Sequence, residues 1–440
     1  MPARRILIAT FGSLGDLHPY LAVALALKAR GHLPTIATHA SHAAKVTAEG
    51  VGFHAVRPDP IELGADDALM RRVLHPLHGP ALLVRDLVMR ALRDSHADLD
   101  AAAERADLIV SHPLTFAAPL VAQRRGLPWA SSVLAPGNFA SIHDPPALPF
   151  AAGLLGAVSR LPGGVGPALA RAALGAFRRA VRPWSEPVRA LRRELGLPAS
   201  ALDPLLEGQF SPRLTLALFS RTLAAPQPDW PANVRVTGFA FYDRAAGVDG
   251  LGGRHDARDA RALADFLDAG EPPIGFTLGS AAVLGAGDFF EQSARAAARL
   301  GRRAVLLTGP DARNRPAAPL PSGMAAFEYA PHSVLFPRCA AVVHQGGIGT
   351  TGQAMRSGRP ELVVPFGFDQ PDNAARVRRL GIARVLPRGG YGPARAALAL
   401  RRLLEQPDHA ARAGAVARAM AAEDGAQDAC DALLRLAEAG

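Results

Sequence analysis

Short, almost wholly apolar runs recur along this chain, each followed by glycine or polar residues and then by a longer stretch with apolar positions three and four apart. Arg5–Thr10 (RILIAT) is the first, and Phe11–Pro19 reads as the turn after it. Tyr20–Arg30 then reads as an amphipathic helix stopped by Gly31. The same rhythm returns at Pro34–Thr38, Ala106–Ser111, Trp129–Val133, Leu214–Phe219 and Val234–Thr237. It resumes at Ile274–Leu278, Ala304–Thr308, Ala340–Val343 and Glu361–Val364, with Asp288–Leu300 as an intervening helix. Continuous apolar strands alternating with helices predict parallel, doubly wound α/β sheets covered on both faces.

The rhythm breaks twice. Between Pro136 and Pro204 a loop-like stretch gives way to helix interrupted by Gly and Pro. Leu154, Leu155, Val158 and Leu161 share one apolar face there, and Ala173, Leu174, Phe177 and Val181 another. These inserted helices either wall a pocket or simply pack on the first domain. Tyr242–Arg258 is rich in glycine and charge and has no periodicity, so it reads as a linker. The division expected is a first domain over 1–241 with a helical insertion at about 150–200, a linker over 242–258, and a second domain over 259–440. A chain of 440 residues suits two cores better than one.

The stretch richest in chemistry runs from Phe327 to Leu380. A buried strand ends in His344, and Gly346, Gly347, Gly349 and Thr350 follow before a helical run. A strand that turns through glycine into a helix is suited to phosphate: glycine lets backbone approach the anion, and the helix N-terminus offers unpaired N–H groups and a positive dipole end. The next strand leads to Asp369 and Gln370, polar groups beyond a strand's carboxyl end, where open α/β sheets bind ligands. Gly347-x-Gly349-x-x-Gly352 also satisfies the dinucleotide fingerprint, which alone is weak.

The run YAPHSVLF…HQGGIGTTGQAMRSGRPELVVPFGFDQPDNA resembles the donor-binding signature of nucleotide-sugar glycosyltransferases of family 1. The branch it resembles includes bacterial antibiotic, sterol and rhamnolipid-type transferases; APQPDWPANVRVTGFAFYD and IGFTLGS echo the last of these. The resemblance implies the GT-B fold, two Rossmann-like domains with the active site in the cleft between them, and a C-terminal helix that returns to the first domain. It implies an inverting, metal-independent transfer of a hexose or deoxyhexose, rhamnose included, to a hydroxyl of a hydrophobic acceptor such as a lipid, sterol or natural-product aglycone. The co-substrate is a UDP- or dTDP-sugar and no cofactor is expected. Plant-type relatives carry a ribose-holding Glu eight residues after the signature His, where this chain has Gly352, so a dTDP-sugar stands beside a UDP-sugar.

Sugar transfer to a hydroxyl needs a base, a neutralised leaving diphosphate and a sugar held for in-line attack. Gly12-Ser13-x-Gly15-Asp16-x-x-Pro19 resembles the branch in which Asp stands for the catalytic His, making Asp16 the candidate base with His18 as alternative. An Asp before a helix is also a cap. By the same resemblance His344 would donate to the diphosphate, with Gly12, Ser13, Gly279, Ser280, Gly346, Gly347, Gly349 and Thr350 around it. Asp369, Gln370 and Asn373 would bind sugar hydroxyls, and Tyr329, Ala330, Pro331 and His332 would line the base.

Composition trims the alternatives. The net charge of +10 is nearly all scattered arginine, Lys28 and Lys45 being the only lysines, which argues against nucleic acid and leaves peripheral contact with anionic lipid open. Cys339 and Cys430 supply neither a disulfide framework nor a metal spacing. The N-terminal apolar run is too short for a secretory signal and no span-length apolar run occurs, so a cytoplasmic protein is expected. Two rivals remain: an NAD-dependent oxidoreductase built on the glycine fingerprint, and a nucleotide-sugar-binding auxiliary protein without catalysis. Acceptor identity and oligomeric state are not written in the sequence.

Overall fold

The computed structural model describes residues 2–59, 69, 72–75, 78–147, 165–243, 257–317 and 319–439. They form two compact units, one of residues 1–242 with 423–440 and one of residues 243–422.

Among the described residues the first unit holds a seven-stranded sheet, ordered β3-β2-β1-β4-β5-β6-β7, in which every pairing is parallel. The strands are β1 Arg5–Ala9, β2 Leu33–Thr38, β3 Gly52–Ala55, β4 Leu108–Ser111, β5 Trp129–Val133, β6 Thr215–Ala217 and β7 Val234–Val236. Ile6, Leu7, Ile8 and Ala9 are all buried, as a strand covered on both faces requires. The order reverses between β1 and β4, so the crevice beyond their carboxyl ends is the topological switch point. Helix α1, Leu14–Ala29, follows β1; α2, Ala118–Arg125, follows β4; α3 is Glu186–Glu194. The tail helix Gly425–Glu438 packs on α1, where Gln427 Oε1 accepts from Arg30 at 2.7 Å and Asp431 pairs with the same guanidinium.

The second unit repeats the pattern with six parallel strands among the described residues, ordered β10-β9-β8-β11-β12-β13. These are β8 Ile274–Thr277, β9 Ala304–Leu307, β10 Met324–Phe327, β11 Ala341–His344, β12 Glu361–Val363 and β13 Ala383–Val385. Its switch point lies between β8 and β11. Helix α4, Ile348–Ser357, follows β11, and α5, Gln370–Arg379, follows β12. Two doubly wound α/β units are the fold class the apolar rhythm predicts.

Three readings change. The turn after β1 does not extend to Pro19: α1 starts at Leu14, and Pro19 lies inside it. Ser13 caps the helix and Asp16 reaches back to the Ser13 N–H, and this reciprocal pair fixes the start six residues earlier than Tyr20. Strands β3, β10 and β13, each short and at or beside a sheet edge or end, were not evident in the apolar pattern. In the helix Val165–Val181, Val181 is buried but Phe177 is 48% exposed, so Ala173, Leu174, Phe177 and Val181 do not form one covered face. Leu154, Leu155, Val158 and Leu161 and most of the linker reading lie outside the described residues. No helix among the described residues is long and apolar enough to cross a membrane.

Candidate functional site

Each switch point carries its own set of predicted residues, and the two sets differ in kind. In the first unit the chain leaves β1 through Gly12, whose φ of +130° is strained for any side chain. A Cβ there would lie 2.3 Å from Asp16 Oδ2. That space lets Asp16 fold back, so Oδ2 accepts from the Ser13 N–H at 2.8 Å and from Ser13 Oγ at 3.3 Å. The Gly12 carbonyl in turn accepts from Nε2 of His39 at 2.8 Å and of His42 at 3.1 Å. Burial pushes both imidazoles below their ordinary pKa, His42 to about 4, so both stay neutral near pH 7. The capping role and a base role of Asp16 are therefore compatible: Oδ2 is spent on the cap, while Oδ1 faces outward.

What Oδ1 faces is His112, which sequence reasoning missed. The first residue after β4, it is buried, with Nε2 3.5 Å from Asp16 Oδ1. Its Nδ1 accepts from the Leu114 N–H at 3.1 Å, so the ring proton sits on Nε2, directed at the carboxylate. Tyr20 holds the ring from the side, edge-on at 5.9 Å between centroids, and Tyr20 Oη is tied to Ser132 Oγ at 2.7 Å. The available signal was a polar pair, Ser111-His112, closing an apolar strand, as His344 closes β11. His18, two residues after Asp16 and so about 200° further around α1, packs its ring on Tyr242 at 4.9 Å instead.

Beside His112 the first unit contains a cavity of about 230 Å³. It lies between residues 111–123 and 188–209, with Val188, Arg189, Arg192 and Arg193 of α3 on one side, so the last helix of the insertion expected at about 150–200 walls a pocket.

The second unit is furnished mainly with backbone. Gly347 is the N-cap of α4, and the N–H groups of Ile348, Gly349 and Thr350 have no acceptor within the helix. Gly346 takes φ +88°, and a Cβ there would strike Val363 Cγ1 at 2.7 Å. A Cβ at Gly279, on the facing strand end, would lie 2.3 Å from Gln345 Nε2. At Gly347 the same amide would be 2.7 Å away, whereas no atom of the described residues lies within 4 Å of a Cβ at Gly349. Thus Gly279, Gly347 and Thr350 converge on Gln345, with Ser280 next to Gly279 at its edge. Gln345 is buried, its Nε2 is 3.5 Å from Thr350 Oγ1, and its Oε1 has no partner among the described residues.

His344 is placed differently from the expectation of a free phosphate donor. It is fully buried; Nδ1 accepts from the Gly346 N–H at 3.1 Å and Nε2–H donates to Glu361 Oε2 at 3.0 Å. The β11–β12 register sets Val342 opposite Glu361, which puts the carboxylate diagonal to His344 on the same face. With both nitrogens engaged, the ring braces the glycine turn. Burial holds Glu361 above the ordinary carboxylate range, with its bond to His344 acting the other way.

Asn373 Nδ2 donates to the Gly346 carbonyl at 3.0 Å and to Asp369 Oδ2 at 2.7 Å, joining the glycine turn to the start of α5. Gln370 Oε1 accepts from the Phe366 and Gly367 N–H groups at 2.8 and 3.2 Å, so that oxygen shapes the loop. Between them Phe368 adopts φ +54°, an unusual value for an aromatic residue. Tyr329 and Ala330 follow β10, Pro331 caps the short helix His332–Leu335, and that helix packs against α4. His332 stacks on Phe336 at 4.3 Å, and desolvation pushes its pKa to about 4.

Residues 6–121 match the glycosyltransferase family 28 N-terminal domain, and residues 296–436 match the C-terminal domain of erythromycin biosynthesis protein CIII-like proteins. O-mycaminosyltylonolide 6-deoxyallosyltransferase of Streptomyces fradiae is 33% identical over 97% of this chain and 96% of its own length. Sterol 3-beta-glucosyltransferase of Leptosphaeria maculans is 29% identical over 86% of this chain, which spans 25% of that longer protein. Among solved structures, the glycosyltransferase VinC in complex with dTDP superposes with a TM-score of 0.67 at 21% identity, covering 99% of this chain and all of that one (100%).

Proposed function

This chain belongs to the family 1 glycosyltransferases of GT-B fold, and from that premise we propose that it moves a deoxyhexosyl or hexosyl group from a dTDP- or UDP-sugar to a hydroxyl of a hydrophobic acceptor. The observation that carries the reading is the furnishing of the two switch points. One presents a fixed carboxylate facing a buried imidazole, the other a glycine turn opening a helix. A dTDP-deoxyhexose is preferred, since Gly352 leaves no carboxylate for a ribose hydroxyl and the named relatives include a 6-deoxyallosyltransferase and a dTDP complex.

The donor diphosphate rests on the N–H groups at the start of α4, beside Gln345 and Thr350. Asp369 and Asn373 read the sugar, and Tyr329–His332 line the base. Asp16 Oδ1 takes the acceptor's proton while the His112 Nε2–H, directed at that oxygen, holds its orientation. The acceptor oxygen bonds to the anomeric carbon as its bond to the diphosphate breaks, so the configuration inverts. His344 contributes by bracing Gly346.

Thermal stabilisation by UDP, dTDP, GDP and NAD, measured on the wild type and on Asp16→Ala, tests the reading. A rise with dTDP or UDP in both proteins, with sugar transfer only in the wild type, is expected. A rise with NAD alone replaces the transferase reading with a dehydrogenase. A nucleotide response with no transfer from any donor leaves a binding protein.

A further inference from the structure

Asp16 is held by the Ser13 N–H, and that N–H belongs to the Gly12–Ser13 peptide. The group is trans and planar, so its carbonyl and its N–H point in opposite directions and turn together. On one side the Gly12 carbonyl accepts from Nε2 of His39 and of His42; on the other the N–H donates to Asp16 Oδ2 at 2.8 Å. Glycine gives little resistance to rotation of this plane, since Gly12 has no side chain and its φ of +130° lies in a region open to glycine. The two imidazoles occupy both lone pairs of the carbonyl and so set the plane from outside the loop.

A single turn of 3₁₀ helix, Ala40–His42, brings the rings there. β2 runs beside β1, with Ala37 opposite Ala9 and the Thr10 N–H donating to the Ala37 carbonyl at 3.0 Å, so the turns leaving the two strands lie side by side. His39 caps the 3₁₀ turn and stands three residues before His42, the spacing at which side chains of such a turn eclipse. The ring centroids are 4.0 Å apart. The His42 N–H donates to the His39 carbonyl at 3.1 Å, and the Ser41 N–H to Asp59 Oδ2 at 3.1 Å, which anchors the turn to the chain beyond β3. A carbonyl only accepts, so both rings carry their proton on Nε2. His39 Nδ1 then accepts from Ser41 Oγ at 2.5 Å, whereas His42 Nδ1 is buried with no partner among the described residues. A buried imidazole with one nitrogen unsatisfied carries a desolvation cost that an apolar side chain in the same place would not. Both rings are buried, and the contact they share is the Gly12 carbonyl.

We propose that His39 and His42 are positioning residues for the proposed base: a two-imidazole clamp that fixes the Gly12–Ser13 peptide plane and, through its N–H, the Asp16 carboxylate. The proposal deepens the transferase reading and rests on it for the use made of Asp16. Donation into the carbonyl also polarises the peptide and strengthens the N–H it presents to Oδ2. With Oδ2 held, Oδ1 faces His112 at 3.5 Å. The clamp acts on turnover through the place and orientation of one carboxylate, not by contact with the substrate.

Long-range proton–nitrogen NMR of the full chain at pH 7 reads the tautomers directly, with His39→Gln and His42→Gln assigning the signals. Both rings should carry their proton on Nε2. A proton on Nδ1 of either ring, or a charged ring, overturns the clamp without recourse to activity. Turnover is then read as nucleoside diphosphate release from dTDP- and UDP-hexoses, dTDP-rhamnose and UDP-glucose among them, with 1-decanol as acceptor. His39→Leu combined with His42→Leu keeps apolar bulk and removes both donors, and kcat should fall by about tenfold to a hundredfold. The donor KM should stay within about twofold, since the loss falls on the transition state and not on donor binding. His39→Gln combined with His42→Gln places an N–H near each Nε2 and should bring kcat back to within about threefold of wild type. A packing role predicts the reverse order, because leucine fills a buried site at less desolvation cost than glutamine. Each single Leu variant should fall less than the pair and still lie below its Gln counterpart, which keeps the comparison available where the Leu pair does not fold. Wild-type kcat in the Leu variants, or Leu above Gln, rejects the clamp and leaves the transferase reading standing. No release from any donor by the wild type rejects the transferase reading, and the positioning role with it, whatever the tautomers.

Discussion

The two units wind their sheets in the same order, yet their switch points are built from different parts. Beyond β1 and β4 stand titratable side chains, Asp16 and His112, fixed by a helix cap and by a buried tyrosine. Beyond β8 and β11 stand glycines and the open N–H groups of α4, with the nearby titratable pair, His344 and Glu361, sealed inside. Topology decides where a ligand sits; residue type decides what happens to it. On the proposed reading, a proton is moved at the first point and a charge is held at the second. Substitutions at the first should therefore change rate with little change in donor affinity, and those at the second should do the reverse.

The largest effect expected is on chemistry. Asp16→Asn preserves the cap, since an amide oxygen accepts from the Ser13 N–H as the carboxylate does, but removes the proposed base. The turnover rate should fall by about a thousandfold, with dTDP-induced stabilisation unchanged. A parallel loss of both would mean that the first switch point also holds the donor, and the division of labour would fail.

Acid should strike the first unit through His42. Its folded pKa of about 4 lies below the ordinary value of 6.5, so the folded state binds fewer protons than the unfolded chain between those limits. Its contribution is in place above pH 6.5 and is lost as pH falls through 4. The shift of 2.5 units sets an upper bound of about 3 kcal/mol, at 1.36 kcal/mol per unit. His39 repels the charged ring, while Asp16 and Asp59 attract it. His42→Gln keeps an N–H donor for the Gly12 carbonyl and should flatten the decline in denaturant midpoint between pH 6.5 and 4. An unchanged slope would show that His42 is not held neutral.

Third comes Gly346→Ala. With φ at +88° and Val363 Cγ1 only 2.7 Å from the new methyl group, the turn has to shift, at a cost of about 2 kcal/mol. His344 and Asn373 both bond to this residue, so the donor response should weaken together with the apo midpoint. A destabilised variant with full donor affinity would detach the brace from the binding site.

Which parts of this were legible follows from what local sequence encodes. β1, β5, β8 and β11 announced themselves as apolar runs because a buried parallel strand has no polar face. GFHA at β3 and ARV at β13 lie on sheet edges and carry no such run. Pro19 looked like a helix boundary because the capping box that overrides it depends on a side chain folding back from Asp16. The glycine turn and the polar strand ends were visible as spacing. The bracing of His344 was not, because Glu361 lies 17 residues away and meets it only through the β11–β12 register. His112 lies still further from Asp16 in sequence, and only the β1–β4 pairing brings their strand ends together. The cavity beside His112 depends on α2 meeting α3, which no local pattern contains.

The smallest effect is the most discriminating. Gly349 is the one glycine of the turn whose Cβ meets no atom of the described residues within 4 Å, so no steric reason requires a glycine there. It lies inside the first turn of α4, where alanine is the better helix former by up to about 1 kcal/mol. A purely structural turn therefore predicts that Gly349→Ala leaves the apo midpoint unchanged or slightly raised, with dTDP still bound as before. A phosphate cradle predicts the same apo midpoint but a reduced dTDP response, because the added methyl group occupies space the anion needs against the N–H groups. The two accounts agree on stability and part only on binding. A fully retained dTDP response in Gly349→Ala would locate the diphosphate elsewhere in the second unit, and the contrast between a proton-moving and a charge-holding switch point would lose its second half.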